Sequence, residues 1–482
     1  MRAKPSIYIP TLYFAEGLPY TIVALMSTVF YKNIGVSNAF IGMTSFLTLP
    51  WTLKFLWSPF VDIYGTKRKW VLVAQAVLGC IALLLIGAVF LPDAEYVSLV
   101  IFFIMALASA THDVAIDGYY LDVLNKEQQA FYVGVRNAAY KVAWLSGSGG
   151  LVFLAGSLAE STSLGVKGGW AVSFAVGAAL LLICAAFHTL ALPEPKTAAT
   201  TKEGAVHLSP KEFFSVLSTW LNQPRIAIVV FYILIFRLGD ALMLKMAQPF
   251  LLDPIAKGGL AISTADVGII YGTVGMLFLL AGGIIGGALV SKYGLRKCLL
   301  PTALIQNSAI TLYWWLALAK PAGSVNLLGF PLTEMLSKMT DNPDVLRWFD
   351  ARLLLTISVN SVEQFAYGLG TAAYTVFLLS TVRSEYKAAH YAIATAIMAF
   401  GVMIPGFISG WLQESLGYER FFLISFIASL PGMAAIFALP LDNSSASEAE
   451  EIVSKEMIVG GLKPAPVAEK AESFDQTKDS EV

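Results

Sequence analysis

The chain has 482 residues, of which 57% are hydrophobic and 13% are charged, and its formal net charge is −1. A soluble domain carries about 25% charged residues, so this composition excludes an ordinary soluble protein and indicates a membrane protein with many spans. The charge is unevenly distributed, because residues 442–482 hold ten acidic residues and four lysines.

Twelve stretches are apolar and long enough to cross a bilayer, since a membrane-spanning helix needs roughly 20 such residues. The first stretch is too long for a cleavable signal peptide and contains Glu16, so we expect it to remain in the protein. The predicted spans cover residues 7–31, 37–60, 70–92, 96–121, 131–158, 169–192, 223–252, 264–290, 298–320, 351–382, 388–414 and 419–441.

Two short basic turns lie at matching places, one after the second predicted span and one after the eighth. Residues 61–69 and 290–297 each contain a Tyr-Gly step followed by clustered Lys and Arg. Such charge is typical of cytoplasmic loops, and its duplication favours a protein built from two related halves. The turns would also suit a latch between helix ends in one access state. The latch residues would be Asp62, Gly65, Lys67, Arg68, Gly294, Arg296 and Lys297.

A linker separates the sixth predicted span from the seventh. Residues 193–222 contain Pro193, Pro195 and a Thr-rich run, so they divide the chain into bundles at 1–192 and 223–441. Lys and Arg gather at the ends of the spans that share a side with this linker, which places both termini in the cytoplasm by the positive-inside rule.

Two segments fall outside the bundles. Residues 321–350 form an outer insertion, and Leu332–Arg352 has apolar residues at the spacing of a short amphipathic helix. The acidic tail 442–482 is typical of disorder. Six spans, a linker and six spans with duplicated turns predict an all-α integral membrane protein of the major facilitator fold, with twelve transmembrane helices in two six-helix bundles.

Glu16 is the first charged residue inside a predicted span, and Gly17 and Pro19 follow it. A charge at mid-bilayer costs about 2.5–3.5 kcal/mol on insertion scales, so it needs a partner or a function. Gly and Pro would loosen the helix there, as beside a substrate site. Glu16 is therefore a candidate for proton coupling, or else a partly solvated residue paired with a neighbouring helix.

The fourth and fifth spans carry charges at equal depth. Asp113 and Asp117 are four residues apart and share one helix face, while Arg136 and Lys141 lie on the following span. We expect carboxylates and cations at this depth to pair. The group would form a cytoplasmic-side structural or gating network, or it would contact substrate directly.

The seventh span holds Arg237 and Asp240, which share a helix face at the i, i+3 spacing, with Lys245 beyond them. Arg237 and Asp240 would form either a structural ion pair or a charged group facing Glu16 across a central cavity. Lys245 could extend outward to the interface.

The tenth span contains Asn360, Glu363 and Gln364. Burial favours the neutral form of a carboxyl group, so Glu363 is a candidate protonation site, unless it pairs with a cation such as Arg237.

Aromatic residues near these charges offer surfaces for a sugar-like substrate, although most aromatic residues of a membrane protein face lipid. Tyr13, Tyr20 and Tyr374 are the candidates. The sequence has no phosphate-binding loop, no zinc-ligand spacing and only four scattered His, so we predict neither an enzyme, nor a metal site, nor a cofactor. A gradient would then drive transport.

Several of these stretches resemble the AmpG-type muropeptide permeases, a branch of the major facilitator superfamily. The resemblance covers nearly the whole membrane region. Its motifs are residues 14–19, residues 54–59 with Asp62, residues 108–113 with Asp117 and 122–124, residues 237–241, and residues 368–373.

The resemblance implies proton-driven import of N-acetylglucosaminyl-anhydromuramyl peptides across the bacterial inner membrane, with carriers of siderophores or acyl-CoA as related alternatives. We expect a monomer that binds a small glycopeptide-like substrate and the bilayer, and no nucleic acid. Proton coupling would use Glu16, Asp240 or Glu363, and Arg237 and Lys245 would meet peptide carboxylates. The remaining substrate candidates are Tyr13, Tyr20, Asn360, Gln364 and Tyr374.

Overall fold

A computed structural model describes residues 4–194, 218–223, 225–322, 326–327, 330–331, 348, 350–382 and 387–441. Most of the predicted outer helix (residues 332–352), the tail and most of the linker lie outside these described residues, as does the side chain of Asp62. Apart from an antiparallel pair of two-residue strands, β1 (Asn326–Leu327) and β2 (Phe330–Pro331), the described elements are helical.

Six helical spans make up the first half of the chain. Span 2 is a series of short helices and 3-10 turns from Asn38 to Ile63. Spans 1 and 5 each contain a π-helical turn, at Ile22–Met26 and Leu145–Leu151 respectively. The other bounds are Pro5–Asn33 for span 1, Lys67–Ala88 for span 3, Ala94–Val123 for span 4, Lys126–Ser161 for span 5 and Gly165–Ala191 for span 6.

The second half holds spans 7 to 12. Span 7 comprises Ile226–Phe236 and Leu238–Leu252, and a 3-10 turn at Ile255–Lys257 leads towards span 8. Span 8 is Thr264–Tyr293 with a π turn at Gly268–Val274, span 9 comprises Leu295–Ser308 and Ile310–Ala319, and span 10 is Ala351–Ser380. Spans 11 and 12 form the run Lys387–Ala435, which ends in a 3-10 turn at Ile436–Ala438.

The count of spans agrees with the sequence once interruptions are considered. Nine helices of the described chain are long and apolar enough to cross a membrane. One of these, His390–Ala438, contains two spans because Gly417, with φ of 74°, breaks it. Spans 9 and 10 complete the twelve.

The break in a cavity-lining helix lies in span 7 and not in span 1. The expected loosening beside Glu16 is wrong, because span 1 stays α-helical through Thr21 and only then widens into its π turn. Span 7 is interrupted at Arg237, whose φ of −88° and ψ of 1° are not helical. The interruption puts the guanidinium of Arg237 at a helix junction.

Local sequence signals explain where several helices begin. Asn125 and Gln128 form a capping box at the start of span 5, and the Thr66 side chain accepts a bond from the Lys69 amide at the start of span 3. Both basic turns require a positive φ at their glycine, 77° at Gly65 and 83° at Gly294. This requirement explains why the Tyr-Gly step occurs in both.

The two halves touch at the membrane end that lies away from the described N-terminus, and we call this contact the outer clamp. Small residues allow it, because a Cβ on Gly272 of span 8 would collide with the backbone of Gly149 of span 5, and one on Gly410 of span 11 would collide with the carbonyl oxygen of Asn38 of span 2. Helices approach this closely only where a side chain is absent. The glycine-rich stretches of spans 5 and 11 therefore pack across the halves.

Replacing Gly272 with Ala should loosen the outer clamp. Overpacking of this kind costs about 1–3 kcal/mol, which corresponds to a shift of about 5- to 150-fold in a conformational equilibrium. The measurement is the distance between spin labels at the exposed positions Thr162 and Lys257, one in each half, in a variant that lacks the natural cysteines. We expect a longer distance in Gly272→Ala.

Gly283→Ala is the matched control on the same span, because its nearest new contact would be 4.0 Å away. An unchanged label distance in Gly272→Ala, or the same lengthening in Gly283→Ala, would contradict the clamp.

Candidate functional site

The charged side chains within the spans form one cluster in each half. The cluster of the first half lies on spans 1, 2, 4 and 5. Lys54 of span 2 bonds to Asp113 of span 4, and Arg136 of span 5 lies 3.5 Å from Asp117. The Asp117 side chain is 43% exposed and that of Arg136 is 32% exposed, so this cluster borders accessible space.

Tyr13 completes this cluster from span 1. Its hydroxyl donates to Asp117 over 3.1 Å, and the Arg136 guanidinium lies 4.7 Å from the centre of its ring. The ring itself is 1% exposed. Tyr13 therefore orients the Arg136–Asp117 pair and presents no free face to a sugar.

Glu16 adds a third carboxyl group to this cluster. It lies near Asp113 and Asp117, and its Oε2 is buried without a hydrogen-bond partner among the described residues. Lys54 and Arg136 are already engaged by the two aspartates. The cluster therefore holds three carboxyl groups for two paired cations, and Glu16 is the one left over.

Lys141 does not take part in the expected network. Within the described residues it has no carboxylate partner, and its Nζ instead lies 5.1 Å from the centre of the Trp144 ring. We expected Asp113 to pair with a cation of span 5, Arg136 or Lys141. This prediction is wrong, because Asp113 pairs with Lys54 of span 2. The sequence offered a weak signal for Lys54, which lies within an apolar stretch.

The Trp144 ring that Lys141 contacts belongs to a connected group of four aromatic rings, which we call the aromatic wall: Tyr20, Trp51, Tyr140 and Trp144. Tyr20 is its centre, with ring-centre distances of 5.0 Å to Trp51 and 6.4 Å to both Tyr140 and Trp144. All four residues are partly exposed. Tyr20 is thus placed as the sequence suggested, next to the charges and accessible.

The cluster of the second half is built around the predicted Arg237–Asp240 pair. Arg237 Nε donates to Asp240 Oδ2 over 2.8 Å, which confirms that these two residues pair, and Gln306 donates to the same oxygen over 3.1 Å. The guanidinium also bonds to the Tyr367 hydroxyl and lies 4.9 Å from that ring's centre. The ionic side chains are 6% and 2% exposed, so this pair is more deeply buried than the first cluster.

The polar residues of span 10 contact one another and their neighbours. Glu363 is 2% exposed and accepts a bond of 2.8 Å from Gln364, so the alternative pairing with Arg237 is not observed. Asn360 accepts from the Tyr313 hydroxyl and donates to the carbonyl oxygen of Ile270. Asn360 thus holds spans 8, 9 and 10 together, whereas Gln364 bonds within span 10.

Tyr374 does not line a cavity. Its ring is fully buried, it stacks on Phe236 at 4.7 Å, and its hydroxyl donates to the carbonyl oxygen of Ile233. These contacts join span 10 to span 7. Sequence position alone placed Tyr374 near charges, but packing within the half uses both its face and its hydroxyl.

Lys245 points towards the other half and not outward to the interface. Its Nζ donates to Thr44 over 2.7 Å and to Thr28 over 3.2 Å. It therefore belongs to the outer clamp, and an incoming carboxylate would have to displace these hydroxyls.

The polar centre of the outer clamp was missed by sequence reasoning. Lys32 at the end of span 1 forms an ion pair of 2.7 Å with Asp253 at the end of span 7, and their side chains are 11% and 4% exposed. Asn38 donates to Gln413 and Tyr418 over 2.6 and 2.9 Å. These residues lie at span ends, where charge is unremarkable in a sequence, and their contacts connect positions more than 200 residues apart.

The first basic turn makes its described contacts within its own half. Arg68 donates to the carbonyl oxygens of Leu192 and Thr189, each over 2.9 Å, at the end of span 6, and Lys67 donates to that of Val61. A cation is stabilising at a helix C-terminus. In the second turn, Arg296 and Lys297 are exposed. The latch remains a prediction.

Each half thus carries one charged cluster, and the outer clamp joins the halves at one end. Tyr20 of the first half lies near Tyr367 of the second. A helical bundle closed at one end, with ionisable and aromatic groups at mid-depth, is the arrangement of a secondary transporter that exposes a central site to one side at a time.

Comparison with known proteins identifies the family. The sequence model of the Major Facilitator Superfamily matches residues 11–341, so the chain belongs to this family of membrane transporters. It is 26% identical over 432 residues to the anhydromuropeptide permease of Escherichia coli strain K12, with 87% of this chain and 76% of that protein covered.

Solved structures agree on the fold. The crystal structure of the nucleoside transporter NupG matches with a TM-score of 0.62 at 15% identity, over 90% of this chain and 98% of that one. A D-xylose-proton symporter matches with a TM-score of 0.60 at 13% identity, over 91% of this chain and 98% of that one. The major facilitator fold predicted from the sequence is confirmed.

Removing one partner of the Arg237–Asp240 pair should destabilise the protein. A buried charge without its counter-charge typically costs about 3–5 kcal/mol, whereas replacing both partners with apolar residues is often neutral. Asp240→Asn should therefore lower the thermal unfolding temperature in detergent, and Arg237→Met with Asp240→Leu should largely restore it.

The surface pair Lys320–Glu419, whose side chains are 37% and 46% exposed, provides the control, because Glu419→Gln should change the unfolding temperature little. If Asp240→Asn were as stable as Glu419→Gln, the buried pair would not support the fold.

Proposed function

We propose that this protein is a proton-coupled importer of N-acetylglucosaminyl-anhydromuramyl peptides or related cell-wall fragments. It would act as a monomer in the bacterial inner membrane, with both termini in the cytoplasm and with bundles at residues 1–192 and 223–441 rocking about the site. The similarity to the E. coli anhydromuropeptide permease over 87% of the chain carries the cargo assignment.

The chemistry of the walls supports a cargo that is both sugar-like and charged. The aromatic wall offers ring faces, against which the apolar face of a sugar can pack. Cations line both halves, and the peptide part of such a cargo carries carboxylates. A purely apolar cargo would leave these polar groups without a partner, which is costly inside a membrane.

Proton coupling is supported by the surplus carboxyl group of the first cluster. The Oε2 atom of Glu16 is buried without a hydrogen-bond partner among the described residues, so a proton bound there would not have to displace a cation. Because Lys54 neutralises Asp113, Glu16 is the group that would carry the proton. Asp240 is already paired with Arg237, and Glu363 is the second candidate.

The outer clamp gives the proposal its direction. With Lys32 and Asp253 paired, the site is closed at the end that would face the periplasm, so this conformation would release cargo to the cytoplasm. Opening that end would expose Lys32, Asp253 and Lys245 to water, which can replace the contacts they lose.

Transport by the purified protein in liposomes, with an imposed pH gradient, tests the function directly. Labelled N-acetylglucosaminyl-anhydromuramyl peptide should accumulate. A siderophore and an acyl-CoA should not, although a related carrier of the same superfamily would transport one of them. If the protein were a passive uniporter, collapsing the proton gradient would not change its transport of the cargo. A further alternative is a non-transporting scaffold that acts through the acidic tail. Deleting residues 442–482 would abolish the role of such a scaffold, whereas a carrier should keep its transport activity.

Glu16→Gln should abolish accumulation against a gradient and leave exchange of cargo across the membrane intact. The amide cannot release a proton, so the cargo equilibrates without being concentrated, and we expect net pH-driven uptake to fall at least about tenfold, which corresponds to about 1.4 kcal/mol. Uptake and counterflow in liposomes are the two measurements.

Glu160→Gln is the control for this experiment, because Glu160 is an exposed carboxylate outside both clusters. Glu363→Gln and Asp240→Asn test the other candidates in the same way. Normal accumulation by Glu16→Gln would refute the assignment of coupling to Glu16 without affecting the assignment of the cargo.

A further inference from the structure

We infer that Lys141 and the aromatic wall form a subsite that binds a carboxylate borne by a ring-containing cargo. The inference rests on the proposed function and makes it more specific, since it assigns to Lys141 the role that the sequence suggested for Arg237 and Lys245. Lys141 would hold the anionic group while Tyr20, Trp51 and Trp144 pack against the adjoining ring.

The pairing of the other cations leads to this assignment. Lys54 bonds to Asp113, Arg136 lies beside Asp117, and Arg237 bonds to Asp240. Each of these cations would have to give up an existing carboxylate before it could bind another. Lys141 has no carboxylate partner among the described residues, so a cargo anion meets no competitor there.

Lys245 is excluded by its position. It also lacks a carboxylate partner within the described part of the chain, but its ammonium group is held by the hydroxyls of Thr28 and Thr44 in the outer clamp. In this conformation it joins the halves, whereas Lys141 lies on a partly exposed wall.

The surroundings of Lys141 suit an anion joined to a ring. Its Nζ lies 5.1 Å from the centre of the Trp144 ring, and Tyr20 connects Trp144 and Trp51 into one surface. A cation over an aromatic face keeps its charge directed and still has donors free for a carboxylate. Tyr20 also lies near Tyr367, so a cargo bound here would reach the second half.

A structural role for Lys141 would be limited to its contact with Trp144. That contact orients the ammonium group but does not neutralise it, and an ammonium group within a span needs water or an anion nearby. A cargo carboxylate supplies the anion.

The test compares two probes: an N-acetylglucosaminyl-anhydromuramyl peptide with free carboxylates, and the same molecule with those groups converted to carboxamides. Calorimetry on the purified full-length protein gives the Kd of each, independently of transport. We expect the wild type to prefer the acid at least tenfold. Lys141→Met should weaken binding of the acid at least tenfold and that of the amide less than twofold, and Lys141→Arg should keep the preference.

Lys167→Met is the matched control, since Lys167 is exposed and outside the clusters; it should leave both Kd values unchanged. A folded Lys141→Met protein that still prefers the acid tenfold would overturn the subsite, as would a wild type that binds both probes equally or binds neither. Uptake of the acid probe by wild-type liposomes is measured separately. Absent uptake with Lys141-dependent binding would refute the transport proposal and leave the subsite standing.

Discussion

A charge within a bilayer needs a counter-charge or water, and this requirement organises the protein. Each ion pair within the spans that satisfies it also fixes helices relative to each other. Lys54 and Asp113 join spans 2 and 4, Arg136 and Asp117 join spans 4 and 5, and Arg237 and Asp240 hold the junction of span 7. These ion pairs thus support the charged cluster of each half and also make it polar.

The location of an ion pair decides whether it would stay intact when the halves move relative to each other to open the other side of the membrane. The three pairs at mid-depth lie within single halves, so rigid rocking of one half against the other leaves them intact. Lys32 and Asp253 are different, because they occupy equivalent ends of spans 1 and 7 and pair across the halves. Opening the clamp would break this pair at the end of the spans, where water can replace the lost contact, so the proposed transition would not leave an unpaired charge in hydrocarbon.

Side-chain contacts between residues close in the sequence, or on consecutive spans, could be predicted. Contacts between distant segments could not. The i, i+3 spacing predicted Arg237 with Asp240, and equal depth on consecutive spans predicted Arg136 with Asp117. Lys54 bonding to Asp113 depends on span 2 being broken into short helices, which its apolar pattern does not reveal. Tyr374 was a substrate candidate because it lies near charged residues in the sequence, yet Phe236 from another span covers its ring.

The two halves have similar basic turns but different ionisable groups. Gly65 and Gly294 keep the same positive φ, as expected of duplicated turns, while the unpaired ionisable groups differ. In the first half, Glu16 and Lys141 lie on a partly exposed wall; in the second, Glu363 is buried and Lys245 is held in the clamp. The proposed proton site and the proposed carboxylate site would lie on adjoining helices, because Glu16 belongs to span 1 and Lys141 to span 5, and these spans pack closely where Gly17 meets Tyr140 and Ala143. Close packing of these spans therefore provides the physical basis on which occupancy of one site can affect the other.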